Sequence, residues 1–85
     1  MADIPILSLN DRWRVAHDGQ LQWILQKREG GSWYGKLFPC SRSSLVRSIA
    51  ERCGDLDIDV LATIEEWPER YRDWLAEHVG MPGAG

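Results

Sequence analysis

Two histidines, two cysteines and a dense run of carboxylates are the groups in this 85-residue chain with reactive or metal-binding chemistry. His17 and His78 have no serine or cysteine near them at the spacing of a nucleophile and its base. Glu65 and Glu66 are neighbours, so on a helix they point in two directions and do not suit shared acid–base work. Cys40 and Cys53 are not arranged as Cys-x2-Cys, and no Cys/His cluster with metal-ligand spacing is present. Gly30-Gly31 lacks the spacing of a phosphate loop and precedes a strand pattern, which makes it a turn. Neither an enzyme nor a cofactor or metal site is expected. The chemistry these residue types support is binding.

Two sets of side chains carry that expectation. The first is basic and amide-rich: Arg12, Arg14, Gln22, Gln26, Arg28, Tyr34 and Lys36. Arginine and lysine neutralise phosphates, glutamine and arginine read base edges, and tyrosine stacks on a sugar or an unpaired base. The second is acidic: Asp55, Asp57, Asp59, Glu65, Glu66 and Glu69 fall within fifteen positions. Residues 1–53 hold eight Arg/Lys against five Asp/Glu, and residues 54–85 hold two against eight. The formal charge is only −3, but its halves differ in sign, an asymmetry that can steer a partner. A net acidic chain is poorly suited to strong, non-specific DNA binding.

The elements that position these groups follow from periodicity. In Arg12–His17, Trp13, Val15 and His17 alternate with Arg12, Arg14 and Ala16. Gln20–Glu29 places Leu21, Trp23 and Leu25 on one face and Gln22, Ile24, Gln26 and Arg28 on the other. In the next strand Trp33, Gly35 and Leu37 oppose Tyr34, Lys36 and Phe38. Asp18-Gly19 reads as a two-residue hairpin turn and Gly30-Gly31-Ser32 as the next turn. The spacing predicts three helices. The first is capped by Ser41 or Ser43, carries Val46, Ile49, Ala50 and Cys53, and stops at Gly54. The second is capped by Asp55 or Asp57 and carries Val60, Leu61 and Ile64 up to Trp67-Pro68. The third runs from about Pro68 to Val79, with Tyr71, Trp74, Leu75, His78 and Val79 in its stripe, and stops at Gly80.

The expected fold is a single α+β domain over 1–85. An extended segment (1–10) leads into a three-stranded antiparallel meander (11–39). Two or three helices (41–79) pack on one face, and a flexible tail (80–85) follows. The apolar set Trp13, Val15, Leu21, Trp23, Leu25, Trp33 and Leu37 lies under the helices, which leaves the basic set on the outer face. Trp67, Tyr71 and Trp74 read as core, with an interface role as the alternative. Cys40 and Cys53 flank a helix about 18 Å long, too far apart to pair within one chain. Nothing resembles a signal peptide or the roughly 20 apolar residues of a membrane span, which points to a cytoplasmic protein with no membrane partner. Open sheet edges would allow a homodimer.

Two resemblances sharpen the expectation. Trp13-Arg14-Val15, the hairpin and Gly35-Lys36-Leu37-Phe38 before a helix resemble the small DNA readers of integrase amino termini and plant AP2-type factors. That likeness covers about residues 12–53 and implies a DNA-binding module that uses the sheet face. Trp13-Arg14-Val15, Gln22-Trp23-Ile24-Leu25-Gln26 and Trp33 ahead of a short helical half resemble small phage and prophage proteins, some of them anti-CRISPR inhibitors. This second likeness implies a non-catalytic inhibitor bound to a host nucleic-acid-handling complex, with a Cas subunit as target. The sheet face would occupy a protein groove, or the acidic helices would present phosphate-like charge to a DNA-binding site.

Overall fold

The computed structural model describes residues 3–78, so expectations for Val79, Gly80 and the tail at 81–85 fall outside the described residues. The fold is α+β. Its sheet has four strands rather than three: β1 (Ile4–Ser8), β2 (Trp13–His17), β3 (Trp23–Glu29) and β4 (Ser32–Leu37). They form an antiparallel meander in the order β1-β2-β3-β4. Three helices follow, α1 (Arg42–Arg52), α2 (Val60–Glu65) and α3 (Tyr71–His78). The added strand is the expected extended segment. Proline is tolerated on a sheet edge, where Pro5 sits opposite Ala16. A bulge leaves Ile6 as an extra residue between the Pro5 and Leu7 pairings.

The turns obey different rules. Gly30 (φ 59°) and Gly31 (φ 85°) make a two-residue connection closed by the Glu29–Ser32 pair. Both positions need positive φ, which glycine supplies. The Asp18-Gly19 turn is wider than expected, because the last pair before it is His17 with Trp23. Asp18 organises this five-residue loop through Oδ1, which accepts the N–H groups of Gln20 and Leu21 at 2.8 Å and of Gln22 at 3.2 Å. A carboxylate accepting three N–H donors replaces the tight turn.

Ser41 caps α1, its side chain accepting from Ser44 N–H at 3.2 Å, and Gly54 follows the helix at φ 68°. The buried stripe of α1 is Leu45, Ile49 and Cys53, with Val46 partly covered, whereas Ala50 is exposed. Neither Asp55 nor Asp57 caps α2; the position is filled by Asp59 in a left-handed conformation (φ 66°) without a side-chain cap. Helix α3 begins at Tyr71 rather than at Pro68, because the chain before it is used elsewhere. Arg42 N–H donates to Glu69 O (2.7 Å) and Tyr71 N–H to Cys40 O (3.0 Å), so residues 69–71 run alongside 40–42.

The helices cover one sheet face. Trp13, Val15, Trp23 and Leu25 meet Leu45, Ile49, Cys53, Val60, Ile64, Trp67, Tyr71 and Trp74 in one core. Trp67, Tyr71 and Trp74 are thus core residues. Leu21, expected in this set, precedes β3 and is exposed. Cys40 is exposed and Cys53 buried, and both are free thiols. Burial pushes the Cys53 thiol up to about 11, with Arg52 opposing. No helix among the described residues is long and apolar enough to cross a membrane.

Asn10 ties the β1–β2 turn to the end of α1. Its Nδ2 donates to Cys53 O and Asp55 O, both at 2.8 Å. Its Oδ1 accepts from Arg12 N–H and Trp13 N–H, both at 2.9 Å. The amide has no spare capacity. Asn10→Ala should cost about 2–6 kcal/mol, since each of the four bonds contributes roughly 0.5–1.5 kcal/mol net. Urea unfolding measures this, and a loss under about 0.5 kcal/mol would rule out the clamp.

Candidate binding surfaces

Cross-strand pairing fixes which side chains share the outer face. Arg14 faces Gln26, which faces Gly35, and Arg28 faces Trp33. Leu25 pairs with Leu37 while Gln26 pairs with Gly35, so Lys36 is an extra, bulged residue. One inserted residue reverses the side-chain alternation on either side of it. Before the bulge, Trp33 and Gly35 therefore lie on the outer face, and Tyr34 and Lys36 turn to the other side with Lys27 and Glu29. After it, Leu37 joins the core and Phe38 returns to the outer face. A Cβ on Gly35 would lie 3.1 Å from both the Phe38 ring and Ile24 Cγ2, which shows how closely that ring is laid across the strand.

The expected basic face is thereby divided. Arg12, Arg14, Gln26 and Arg28 remain on it, Trp33 is added, and Tyr34 and Lys36 leave it. Gln22 belongs to the Asp18 loop and not to the strand. Gln26 is only 3% exposed, and both ends of its amide are engaged. Its Oε1 accepts from Arg14 Nε at 2.6 Å, and its Nε2 donates to Asp3 Oδ2 at 2.9 Å. The Arg14 guanidinium also lies 4.3 Å from the centre of the Trp33 ring. This network crosses the sheet from Asp3 to Trp33 and leaves Gln26 unable to read a base. Lys36 pairs with Glu29 at 3.2 Å on the opposite side.

The acidic set also separates. Glu69 is structural: it accepts from Ser43 N–H (3.4 Å) and Ser43 Oγ (3.0 Å) at the start of α1, and Arg42 lies 3.6 Å away. Arg42 in turn donates to Glu65 O, at the end of α2, and to Trp67 O just beyond it. The side chains of Asp55, Asp57, Asp59, Glu65 and Glu66 are exposed, with no cation within 4 Å among the described residues. Between two of them stands Ile58, 89% exposed, and Leu61 is also exposed one turn on. The turn is anchored beneath by Asp57 N–H to Leu9 O at 2.8 Å and by Thr63 N–H and Oγ1 to Asp59 O at 3.0 Å. Sequence reading passed over Ile58 and grouped Leu61 with Val60 and Ile64 as apolar positions of the second helix. An isoleucine flanked by two aspartates just ahead of a helix was the available signal.

No protein family, curated relative or solved structure matches the chain. The functional reading rests on geometry.

The histidines have structural surroundings. His17, 3% exposed, shares a 2.9 Å hydrogen bond between Nδ1 and the Tyr71 hydroxyl and meets the Trp74 ring edge-on at 5.0 Å. Alternation in β2 placed His17 inward, but nothing in the sequence linked it to Tyr71. His78 Nδ1 lies 3.0 Å from Trp74 O within α3. Burial lowers the His17 pKa below its ordinary 6.5, with the Asp18 charge opposing. The unfolded chain then binds the proton more readily than the folded one. Stability present above about pH 6.5 is therefore lost as pH falls through the lower, folded value. The urea midpoint should drop between pH 7.5 and pH 5.5, above the range in which ordinary carboxylates titrate. A midpoint that is flat or rises on acidification would contradict this environment for His17.

Proposed function

We propose that this protein is a non-catalytic binding protein that docks on a basic, nucleic-acid-handling protein complex and inhibits it. The observation that carries the reading is Ile58, an aliphatic side chain 89% exposed between Asp57 and Asp59. Burying such a side chain in a partner is worth about 1.5–3 kcal/mol, and the flanking carboxylates add complementarity to a basic surface. Aliphatic contact favours a protein over a nucleic acid, and unpaired carboxylates favour one whose site normally receives phosphates. The resemblance of the Trp13, Trp23 and Trp33 strand segments to small phage proteins extends the reading to an anti-CRISPR-type inhibitor in a bacterial host, with a Cas subunit as target. The alternative, a DNA-binding module on the outer sheet face, has less support. Of the residues assigned to that role, Gln26 is buried, Arg14 is engaged, and Tyr34 and Lys36 face elsewhere.

Capture of Cas effector complexes by the immobilised protein tests this reading. Wild type should retain a complex. Ile58→Asp and the triple change Asp55→Asn, Asp57→Asn, Asp59→Asn should each weaken retention at least tenfold while staying folded, as residues at a binding hot spot do. Charge reversal at Arg28, an exposed outer-face arginine outside the Gln26 network, should leave retention unchanged. Retention that survives both acidic-surface changes, or is lost on the arginine reversal alone, would overturn the reading.

A further inference from the structure

Arg12 and Arg28 form a second feature, independent of the acidic surface. Trp13 pairs with Lys27, and Arg28 N–H donates to Arg12 O at 2.7 Å, so the two arginines are cross-strand neighbours. Like charges placed directly opposite destabilise a sheet pair. Neither guanidinium has a carboxylate within 4 Å among the described residues, although both side chains are exposed. Both line a hollow of about 630 Å³ with Asp11, Lys27, Glu29, Gly30 and Gly31. Glu29 is already held by Lys36 at 3.2 Å, and Lys27 lies 5.6 Å over the Trp13 ring. The N–H groups of Gly30 and Gly31, the two turn residues, donate to no backbone or side-chain acceptor among the described residues.

The geometry points to a binding site for a small phosphomonoester, its dianionic phosphate lying between Arg12 and Arg28 against the Gly30–Gly31 turn. The charge of a phosphomonoester, about −1.5 to −2 near neutrality, matches two guanidiniums, whereas a single carboxylate matches one. The guanidinium fork fits phosphate oxygens in a bidentate manner. Asp11 on the rim confines the positive field to this pair, which disfavours a long polyanion and suits a small molecule.

Titration of the ¹⁵N-labelled protein at pH 7.5, with inorganic phosphate and with AMP against chloride of equal ionic strength, tests the site. Saturable shifts are expected at the Gly30 and Gly31 amides and at the Arg12 and Arg28 Nε–H groups. Affinity should fall at least tenfold in Arg12→Gln and in Arg28→Gln, and stay unchanged in Arg47→Gln, an exposed arginine on α1 outside the hollow. Both glutamine variants relieve a like-charge contact and should keep the wild-type spectrum elsewhere. AMP should bind at least as well as phosphate. Non-saturating shifts, equal shifts with chloride, undiminished binding in both variants, or exclusion of AMP would each overturn the proposal. Because the acidic surface is untouched, these outcomes are independent of inhibitor activity.

Discussion

Burial of Trp23 against the helical half is the interaction on which the rest of the structure depends. The indole stacks on Trp67 with ring centres 5.7 Å apart, and it meets Tyr71 and Trp74 edge-on at 5.4 and 6.1 Å. Helix α2 has six residues and α3 has eight, lengths at which isolated helices are marginal in water. Neither would persist without this aromatic wall. The arrangement has a cost, since the indole N–H groups of Trp23 and Trp74 are buried without a partner among the described residues. Large apolar area, on the order of 150–250 Å² for each ring, offsets it.

With one face of the sheet committed to that wall, the other face is closed by its own side chains. Gln26 sits at the centre with Arg14 and Asp3 on its two ends, and Phe38 lies across Gly35 and Ile24. Polar residues that look available as a sheet-face reader are thus partly consumed in holding the four strands in register. The groups left over are at the end of the sheet where the β1–β2 and β3–β4 turns meet the end of α1. The acidic turn around Ile58 and the Arg12–Arg28 pair both belong to this end. It combines opposite charges in small, separate areas, which suits discrete partners better than a long uniform polymer.

Much of this was legible in the chain. Alternation in 13–17 and in 23–28 gave the faces of β2 and β3, because Trp13, Val15, Trp23 and Leu25 fall on one side and Arg14, Gln26 and Arg28 on the other, although Ile24 and Lys27 break the pattern. Trp67, Tyr71 and Trp74 followed helical spacing into the core. The bulge at Lys36 was not legible: Trp33-Tyr34-Gly35-Lys36 has an aromatic on each side, so its pattern accepts either register. Pro5 concealed β1, since proline argues against a central strand but not against an edge. Asp18-Gly19 has the composition of a tight turn, and only the three N–H groups gathered by Asp18 reveal the longer loop. On the acidic side, spacing grouped Glu69 with its neighbours, and only its bonds to Ser43 set it apart.

The most direct measurement is a fluorescence-anisotropy titration of labelled duplex DNA, without terminal phosphates, at low and at physiological salt. A protein whose sheet face is occupied by its own network, and whose net charge is −3, should show no binding that persists at physiological salt. Tight binding there, with a slope reporting several phosphate contacts, would contradict the division of the sheet face and restore the DNA-reading role.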